Sequence, residues 1–302
     1  MDIGMIGLGK MGANMTRRLM KGGHGVVVFD RNTNAVASLS GEGAHAAESL
    51  ASMMSQLSAP RAVWIMVPSG DPTEATIHAL MDVLAPGDTI IDGGNSNYKE
   101  SIRRAEMTKE KGLNFVDVGT SGGIWGLTEG YALMIGGDDE AVSRLTPIFE
   151  TLAPAKDKGW GHVGPHGAGH FTKMIHNGIE YGLMQAYAEG FELMHRKTAM
   201  NLDLHQVAEI WRYGSVVRSW LLDLAARALE QNPNLDGIAA FVPDSGEGRW
   251  TVVEAIELNT SIPVISLSLQ RRFRSRETEP FSDKLLAALR DQFGGHGVQK
   301  TG

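Results

Sequence analysis

The chain has 302 residues, of which 42% are hydrophobic and 21% charged, a composition typical of a globular protein and long enough for two domains. A formal net charge of −7 argues against nucleic-acid binding as the main activity, and the absence of cysteine excludes disulfides, thiolate metal sites and a cysteine nucleophile. No apolar run approaches the length of a membrane span, and no signal peptide precedes the first predicted strand. We therefore expect a cytoplasmic protein with neither a membrane nor a nucleic-acid partner.

The first predicted strand, residues 2–7, leads into a glycine-rich turn. The sequence Gly-x-Gly-x-x-Gly at 7–12 opens a helix that runs to about Lys21, and a second strand at 26–30 ends in an acidic residue. This combination is the fingerprint of a dinucleotide-binding unit, because glycines let the pyrophosphate approach and the helix N-terminus attracts its charge. We predict that the cofactor contacts Gly7, Leu8, Gly9, Lys10, Met11 and Gly12.

Asp30 and Arg31, at the end of the second strand, bear on the choice of cofactor. The Asp30 carboxylate can accept hydrogen bonds from the ribose hydroxyls of NAD and repels the 2′-phosphate of NADP. That repulsion is about 4 kcal/mol for two charges ~4 Å apart at an effective dielectric of ~20. Arg31 can pair with the same phosphate. We therefore predict NAD as the preferred cofactor and keep NADP as the alternative.

Strands and helices continue to alternate through the first half of the chain. Strands are predicted at 63–67, 89–92, 115–118 and 131–136. Helices are predicted at 71–84 and 138–152, and a further helix begins after Asn97 and ends at Lys111. This rhythm predicts an α/β, Rossmann-type doubly wound domain over residues 1–165 with a parallel sheet. Ligands of such sheets bind beyond the carboxyl ends of the strands. We expect contacts with the cofactor or substrate from Val67, Pro68, Asn95, Ser121, Gly122 and Gly123.

Residues 166–302 are predicted to form an all-α domain with a flexible, glycine-rich C-terminal tail. Its predicted helices cover 167–197, 203–213, 216–231, 248–259, 265–274 and 281–293. Their faces are rich in Leu, Trp and Met for a segment of this length, which predicts further burial in a homo-oligomer, either a dimer or a tetramer.

The helix at 167–197 carries an unusual polar face. Lys173, His176, Asn177, Glu180 and Tyr181 are spaced i, i+3, i+4, i+7 and i+8, which puts all five on one side. The first and fourth are roughly 10 Å apart along the axis, a spacing that suits two groups reaching for a small molecule held between them. The apolar neighbours Phe171, Met174, Ile175, Ile179 and Leu183 predict a buried segment, in which Lys and Glu need a reason to be present. A solvated face without a function is the alternative.

Basic residues accumulate near the end of the chain, at Arg249, Arg271, Arg272, Arg274, Arg276 and Arg290. Guanidinium groups bind phosphate in a bidentate manner, so this set indicates a clamp for an anionic substrate. A solvated cationic helix face is the alternative for any one of them. The histidines show no metal-ligand spacing, and we predict no metal site.

Over essentially its whole length, the chain resembles the 6-phosphogluconate dehydrogenases in their short form. The resemblance depends on Gly-Leu-Gly-Lys-Met-Gly-Ala-Asn-Met at 7–15, Asp-Gly-Gly-Asn-Ser at 92–96 and Gly-Thr-Ser-Gly-Gly at 119–123. It also depends on residues 169–181, 248–251 and 290–296, and the stretch at 169–181 discriminates best because related β-hydroxyacid dehydrogenases lack its Glu-Tyr ending.

The resemblance implies a role for each matching residue. Lys173 would be the general base that deprotonates the substrate at C3 and then stabilises the enolate, which requires a pKa below the usual ~10.4 of lysine. Glu180 would be the acid that protonates C1 of the enediol, and His176 and Asn177 would orient the substrate. Substrate contacts are implied for Asn95, Ser121, Gly122 and Gly123. Phosphate binding is implied for Tyr181, Arg249, Thr251, Arg272, Arg290 and His296. In the longer relatives the tail that carries the last two comes from the neighbouring subunit, so action in trans and action within one chain are both open here.

Two other interpretations remain open at this stage. A β-hydroxyacid dehydrogenase for a small unphosphorylated acid, such as 3-hydroxyisobutyrate, would keep the cofactor loop, Lys173 and Asn177 but would not need the arginines. A silent dinucleotide sensor or assembly protein would have no use for a matched acid and base such as Lys173 and Glu180. Whether the reaction would serve pentose phosphate flux or gluconate utilization is open.

Overall fold

The computed structural model describes residues 1–294 and 297–299. By their contacts, the residues divide into two compact units, Met1–His176 and Asn177–Gly302. This division falls inside a long helix. The domain boundary predicted at residue 165 lies just before that helix and stays a prediction.

The first unit is built on strands that alternate with helices. Its strands are β1 (Asp2–Ile6), β2 (Gly25–Phe29), β3 (His45–Ala46), β4 (Ala62–Ile65), β5 (Thr89–Asp92), β6 (Asn114–Ser121), β7 (Ala132–Gly137) and β8 (Trp160–Gly164). Its helices are α1 (Lys10–Lys21), α2 (Thr33–Gly41), α3 (Leu50–Gln56), α4 (Asp71–Met81), α5 (Tyr98–Lys109), α6 (Gly126–Glu129), α7 (Asp139–Arg144) and α8 (Thr146–Leu152), followed by the start of α9 (Ala168–Arg196).

Within the described residues, the strands form one eight-stranded sheet in the order β3-β2-β1-β4-β5-β6-β7-β8. Two buried clusters cover its two faces, since alternate residues of β2 belong to different clusters: Val26 and Val28 to one, Val27 to the other. Helices on both faces of the sheet confirm the predicted doubly wound α/β class.

The sheet is mixed, not wholly parallel as the alternation predicts. β7 runs antiparallel to β6, with Val116 opposite Gly137 and Ser121 opposite Ala132. The reason is the connection between the two strands, which contains only a 3-10 turn (Gly123–Trp125) and the single turn of α6. A parallel crossover needs a dozen or more residues.

Several elements of the first unit differ from the predicted ones. The predicted helix at 138–152 is two helices, α7 and α8, because a proline stands in the first turn of α8 and cannot continue the preceding helix. Five elements of this unit were not predicted from the sequence: α2, β3, α3, α6 and β8. β8 is formed by Trp160–Gly164 without apolar alternation and is defined by its parallel pairing with β7.

The second unit is helical, as predicted. It contains the rest of α9, a 3-10 turn (Thr198–Met200) and the helices α10 (Leu204–Arg212), α11 (Trp220–Gln231), α12 (Glu247–Glu257), α13 (Pro263–Arg274) and α14 (Phe281–Gly294). α11 begins four residues later than predicted because the Ser219 side chain caps it at the Leu222 N–H. No helix within residues 1–294 and 297–299 combines the length and the apolarity that a membrane span requires.

Candidate active site

The glycine-rich turn between β1 and α1 has the geometry that a dinucleotide requires. Gly7 has a φ of +91°, and a Cβ there would stand 2.5 Å from the Met66 carbonyl oxygen. A Cβ at Gly12 would collide with the Gly7 carbonyl, whereas one at Gly9 would meet nothing within 4 Å among the described residues. Gly7 and Gly12 therefore serve the turn itself. Gly9 leaves open space in front of the first turn of α1, where a pyrophosphate fits.

Asp30 follows β2 and is tied to this turn. One carboxylate oxygen accepts the Leu8 N–H at 2.6 Å and the other accepts the Asn32 N–H at 2.7 Å. A carboxylate has about four acceptor positions, so it retains capacity for ribose hydroxyls. Arg31 beside it is exposed. Asp30 therefore lies next to the turn that carries Leu8 and Gly9, as the dinucleotide fingerprint requires.

The loop after β5 carries Asn95, whose side chain is exposed, and is held from below by Asp92. The fully buried Asp92 carboxylate accepts the Gly94 N–H at 3.1 Å and the Ser96 hydroxyl at 2.7 Å, and it lies 3.4 Å from the guanidinium of the buried Arg104. Buried charges need such partners. This support was not predicted from the sequence, although an aspartate at the end of the apolar strand Thr89–Asp92 signals a buried acid.

Arg104 also links this loop to α4. Its Nε lies 2.8 Å from Glu74, and Arg103 contacts the same carboxylate at 2.6 Å. Hydrogen bonds from Arg103 and then from Arg104 lower the pKa of Glu74 to about 2. Val67 and Pro68 precede α4, and the Pro68 carbonyl accepts the Thr73 hydroxyl at 2.9 Å. The predicted cofactor and substrate loops after β4 and β5 thus share one charged support.

The loop at the end of β6 depends on glycine. Gly122 and Gly123 have φ values of +143° and +52°, which L side chains rarely adopt. A Cβ at Gly122 would also come within 3.0 Å of the Tyr131 ring that packs behind the loop. Ser121 lies 3.4 Å from the imidazole of His176, measured from Oγ to Nε2. The structure therefore brings two of the predicted substrate-contacting residues together.

The polar face of α9 is the buried one. Lys173, Asn177 and Tyr181 are only 8%, 7% and 5% exposed, whereas Ile179 and Leu183 are 52% and 45% exposed. Of the five apolar neighbours expected to be buried, Met174 is buried and two others are half-buried, whereas the expectation for Ile179 and Leu183 is wrong. The inward side is set by glycines, because a Cβ at Gly119 of β6 would stand 2.6 Å from the Gly169 carbonyl oxygen and closer still to the Lys173 Cβ. His176 and Glu180 are half-buried.

In the second unit, Tyr181 joins two elements of the predicted phosphate-binding set. The Arg272 guanidinium stacks 3.5 Å from the centre of its ring, and its hydroxyl accepts the Ser245 N–H at 3.2 Å. Arg272 also donates to the Pro243 carbonyl at 2.8 Å. Thr251 of α12 is buried and packs against α9, since a Cβ at Gly178 would stand 2.8 Å from its methyl group.

The loop at 242–247 organises the arginines in a way that sequence reasoning missed. Arg249 holds both oxygens of Asp244, at 2.6 and 3.2 Å, while Arg276 pairs with the same carboxylate. Hydrogen bonds from Arg249 and then from Arg276 lower the pKa of Asp244 to about 2. Arg249 also stacks on Phe273 at 4.4 Å. The Asp244 carboxylate therefore holds Arg249 and Arg276 in place and neutralises part of their positive charge.

Two further residues of the predicted phosphate-binding set lie near the end of the chain. Arg290 lies on α14, where it is exposed, and His296 falls outside the described residues. Among residues 1–294 and 297–299, no group of three or more His, Cys, Asp or Glu side chains is placed to hold a metal ion.

Comparison with known proteins agrees with this geometry. The NAD binding domain of 6-phosphogluconate dehydrogenase matches residues 2–163, and the C-terminal domain of 6-phosphogluconate dehydrogenase matches residues 169–281. YqeC of Bacillus subtilis (strain 168) is 45% identical over 300 residues, which cover 99% of this chain and 100% of that one. The NAD(+)-dependent, decarboxylating 6-phosphogluconate dehydrogenase of Haloferax volcanii is 44% identical over 301 residues, 99% of each chain.

A solved structure shows the same likeness in three dimensions. Plasmodium falciparum 6-phosphogluconate dehydrogenase, described in its apo form and in complex with NADP+ and with 6-phosphogluconate, matches with a TM-score of 0.84 and 27% identity. The match covers 100% of this chain and 66% of that one, as the resemblance to a short form predicts. The chain therefore belongs to the 6-phosphogluconate dehydrogenase family of decarboxylating oxidoreductases, and its first unit is a nicotinamide-dinucleotide-binding domain.

Proposed function

We propose that the chain converts 6-phospho-D-gluconate to D-ribulose 5-phosphate and CO2, with NAD as the preferred hydride acceptor and NADP as the second. The inward-turned polar face of α9 carries the proposal. Lys173 and Asn177 are 8% and 7% exposed while Ile179 is 52% exposed. An amine and an amide can hydrogen-bond to hydroxyls and a carboxylate, and a helix seldom turns such groups inward while it exposes an isoleucine. A small polyhydroxy acid presents the complementary groups.

A nicotinamide dinucleotide bound at the turn of Gly7, Gly9 and Gly12 would supply the hydride acceptor for C3 of the substrate. Lys173 removes the proton of the C3 hydroxyl, which leaves a 3-keto acid with a protonated amine beside the new carbonyl. That ammonium stabilises the enolate oxygen as CO2 departs. Glu180 then delivers a proton to C1 of the enediol in this enolate form, and the enolate oxygen becomes the C2 carbonyl of ribulose 5-phosphate. Lys173 is thus the base of the first step and the electrostatic partner of the second, and Glu180 is the acid of the third.

The other predicted residues hold the substrate. His176 and Asn177 orient its hydroxyls and carboxylate, and the 3.4 Å distance between Ser121 and His176 supports a joint role for α9 and the β6 loop. Asn95, Gly122 and Gly123 complete the sugar contacts from the ends of β5 and β6. Each of these segments ends a strand of the same sheet or lies on α9, where the fold class expects ligands.

The phosphate is bound by Tyr181, Arg249, Thr251 and Arg272, joined by Arg290 and His296 of a second subunit in a dimer or tetramer. The stack of Arg272 on Tyr181 supports this assignment, because it fixes a guanidinium beside the polar face of α9. α14, which carries Arg290, supports the oligomer: Phe281 and Leu286 on it are 78% and 60% exposed. Such an apolar surface needs a cover.

NAD preference follows from the placement of Asp30. Its bond to the Leu8 N–H holds a carboxylate beside the cofactor turn, where it accepts ribose hydroxyls and repels a 2′-phosphate. Asp30→Asn removes the charge at constant shape. We expect the ratio of kcat/KM for NAD over that for NADP to fall by about tenfold or more, since 1.4 kcal/mol is tenfold. An unchanged ratio would show that Asp30 does not select the cofactor.

The direct experiment measures the reduction of NAD or NADP by the absorbance of the reduced nicotinamide, with 6-phosphogluconate as substrate. It compares the wild type with Lys173→Met and Lys111→Met. Lys173→Met should lose turnover but still bind NAD, whereas Lys111→Met, at an exposed lysine, should match the wild type. Retained turnover in Lys173→Met contradicts the assigned base. Wild-type activity on 3-hydroxyisobutyrate alone would favour the small β-hydroxyacid dehydrogenase and leave the Tyr181–Arg272 pair without a ligand.

A further inference from the structure

A buried carboxylate that the proposed chemistry does not use lies directly under the start of α9. Asp117 stands in the middle of β6 between two valines and is fully buried. One of its oxygens accepts the Gly167 N–H at 2.7 Å and the other accepts the His170 N–H at 2.9 Å. Both oxygens therefore bind backbone donors at the beginning of one helix. Such donors have no partner within the helix itself, and its positive end favours a negative charge.

The first turn of α9 also lies close to β6, β7 and α5. A Cβ at Gly169 would stand 2.5 Å from the carbonyl oxygens of both Asp117 and Met134, so the helix backbone lies directly on β6 and β7. From α5, the Ser101 hydroxyl lies 2.7 Å from Nδ1 of the buried His170. α5 begins just after the Asn95 loop, so the first turn of α9 is where three proposed substrate segments are joined.

The position of Lys173 depends on this turn. Lys173 lies six residues after Gly167 on a rigid helix, and its Cβ packs against Gly119, two residues beyond Asp117 in the same strand. One strand, β6, thus fixes the first turn of α9 through the Asp117 carboxylate and fixes which face of the helix is turned toward the sheet through Gly119. A loss of either restraint displaces the amine without touching the cofactor turn.

We propose that Asp117 is a positioning residue for Lys173: its carboxylate fixes the first turn of α9 and thereby places the amine against the substrate. This inference rests on the proposed function of Lys173. A carboxylate accepts a hydrogen bond from both N–H groups through its two oxygens. An amide has one oxygen, so its NH2 group would face one of the backbone N–H donors and that hydrogen bond would be lost. Since a displacement of about 1 Å in a reacting group costs on the order of 100-fold in rate, the helix start is a sensitive place to hold.

The test compares Asp117→Asn with Asp88→Asn. Asp88 is also a buried aspartate that accepts backbone N–H groups, from Arg61 at 2.6 Å and Ala85 at 3.0 Å, but it lies before β5, at the opposite ends of the strands. Asp117→Asn should lower kcat with 6-phosphogluconate by about 10- to 100-fold, with KM and the NAD dissociation constant within about threefold. Asp88→Asn should lose comparable thermal stability and keep kcat within about twofold.

Hydrogen exchange measured by mass spectrometry supplies a readout that does not depend on turnover. Amides at 166–172 should exchange faster than in the wild type in Asp117→Asn and at the wild-type rate in Asp88→Asn. Equal kcat losses in the two variants, or unchanged exchange at 166–172 in Asp117→Asn, overturn the proposal. A wild type that is inactive on 6-phosphogluconate defeats the proposed function, and the exchange comparison then still decides whether Asp117 anchors the helix. If Asp117→Asn does not fold, Asp117→Ser, which keeps one acceptor in a smaller side chain, takes its place with the same expected pattern.

Discussion

Gly119→Ala tests most directly whether the location of α9 over the sheet matters for turnover. Gly119 lies in β6, and its backbone φ is not in the left-handed region, so alanine meets no backbone strain there. The obstacle is space. The new Cβ would stand 2.6 Å from the Gly169 carbonyl oxygen and nearer still to the Cβ of Lys173, whereas ordinary contacts begin at 3.4 Å.

The size of the effect follows from that gap. The first turn of α9 must retreat by on the order of 1 Å, which costs roughly 100-fold in kcat if Lys173 is the base. Inserting a methyl group into a packed contact also costs about 1–3 kcal/mol of unfolding free energy. Binding of NAD should be unchanged, because Gly7, Gly9 and Gly12 lie on other elements of the unit.

The assay is steady-state reduction of NAD with 6-phosphogluconate, together with thermal unfolding and NAD binding on the same samples. Gly161→Ala is the matched control, since Gly161 is also a strand glycine and its Cβ would meet nothing within 4 Å among the described residues. A folded Gly119→Ala protein that keeps kcat within about threefold of the wild type would refute the link between this contact and the position of the amine.

Two further predictions concern groups whose protonation differs between the folded and unfolded chain. Pairing with Arg249 and Arg276 lowers the pKa of Asp244 from 3.8 to about 2. The ionised carboxylate therefore stabilises the folded state fully above pH 3.8, and this stabilisation is lost as the pH falls toward 2. In Asp244→Asn the unfolding temperature should fall less steeply below about pH 4 than in the wild type. Burial raises the pKa of Tyr131 from 10.0 to about 12, and no described residue hydrogen-bonds its hydroxyl. Tyr131→Phe should therefore raise the unfolding free energy by on the order of 1 kcal/mol. It should also abolish the loss of stability that the wild type shows between pH 10 and 12. Parallel acid profiles, or a Phe variant that melts lower, would contradict these expectations.

The cofactor turn could be predicted from sequence because its requirements are local. Gly7 needs a positive φ and Gly12 faces the Gly7 carbonyl, only five residues away along the chain. The spacing of glycines encodes both demands directly. The bounds of α9 could be predicted for a similar reason, since a helix is read from short-range periodicity.

The orientation of β7 could not be predicted in this way. Its sequence reads as a strand in either direction, and what decides is the short connection after Ser121, which is too short for a crossover. β8 has a weaker local signal still, because Trp160–Gly164 contains three residues without apolar side chains and is defined by pairing with β7. Tertiary pairing overrides local propensity in both strands.

The residues that support the candidate site were invisible for the same reason. Asp117 meets its partner Gly167 across 50 residues of sequence, and Asp92 meets Arg104 across 12. A sequence pattern shows which groups are reactive, and in Asp117 it shows an acid inside an apolar strand, but it does not show what that acid holds. Asp244 is the corresponding case in the second unit, where it pairs with Arg249 and Arg276, two arginines of the predicted anion clamp.

The buried face of α9 also separates function from stability at a single residue. Replacing a buried amine with an apolar side chain of similar length removes the desolvation cost of the amine together with the amine's own contacts, and the two effects on stability oppose each other. Lys173→Met, at a position 8% exposed, should therefore unfold close to the temperature of the wild type while losing turnover. A variant that instead melts several degrees lower would show that Lys173 helps to hold the helix, and its inactivity would then say nothing about a base. The melting temperature thus decides whether the lost activity is evidence for the chemistry.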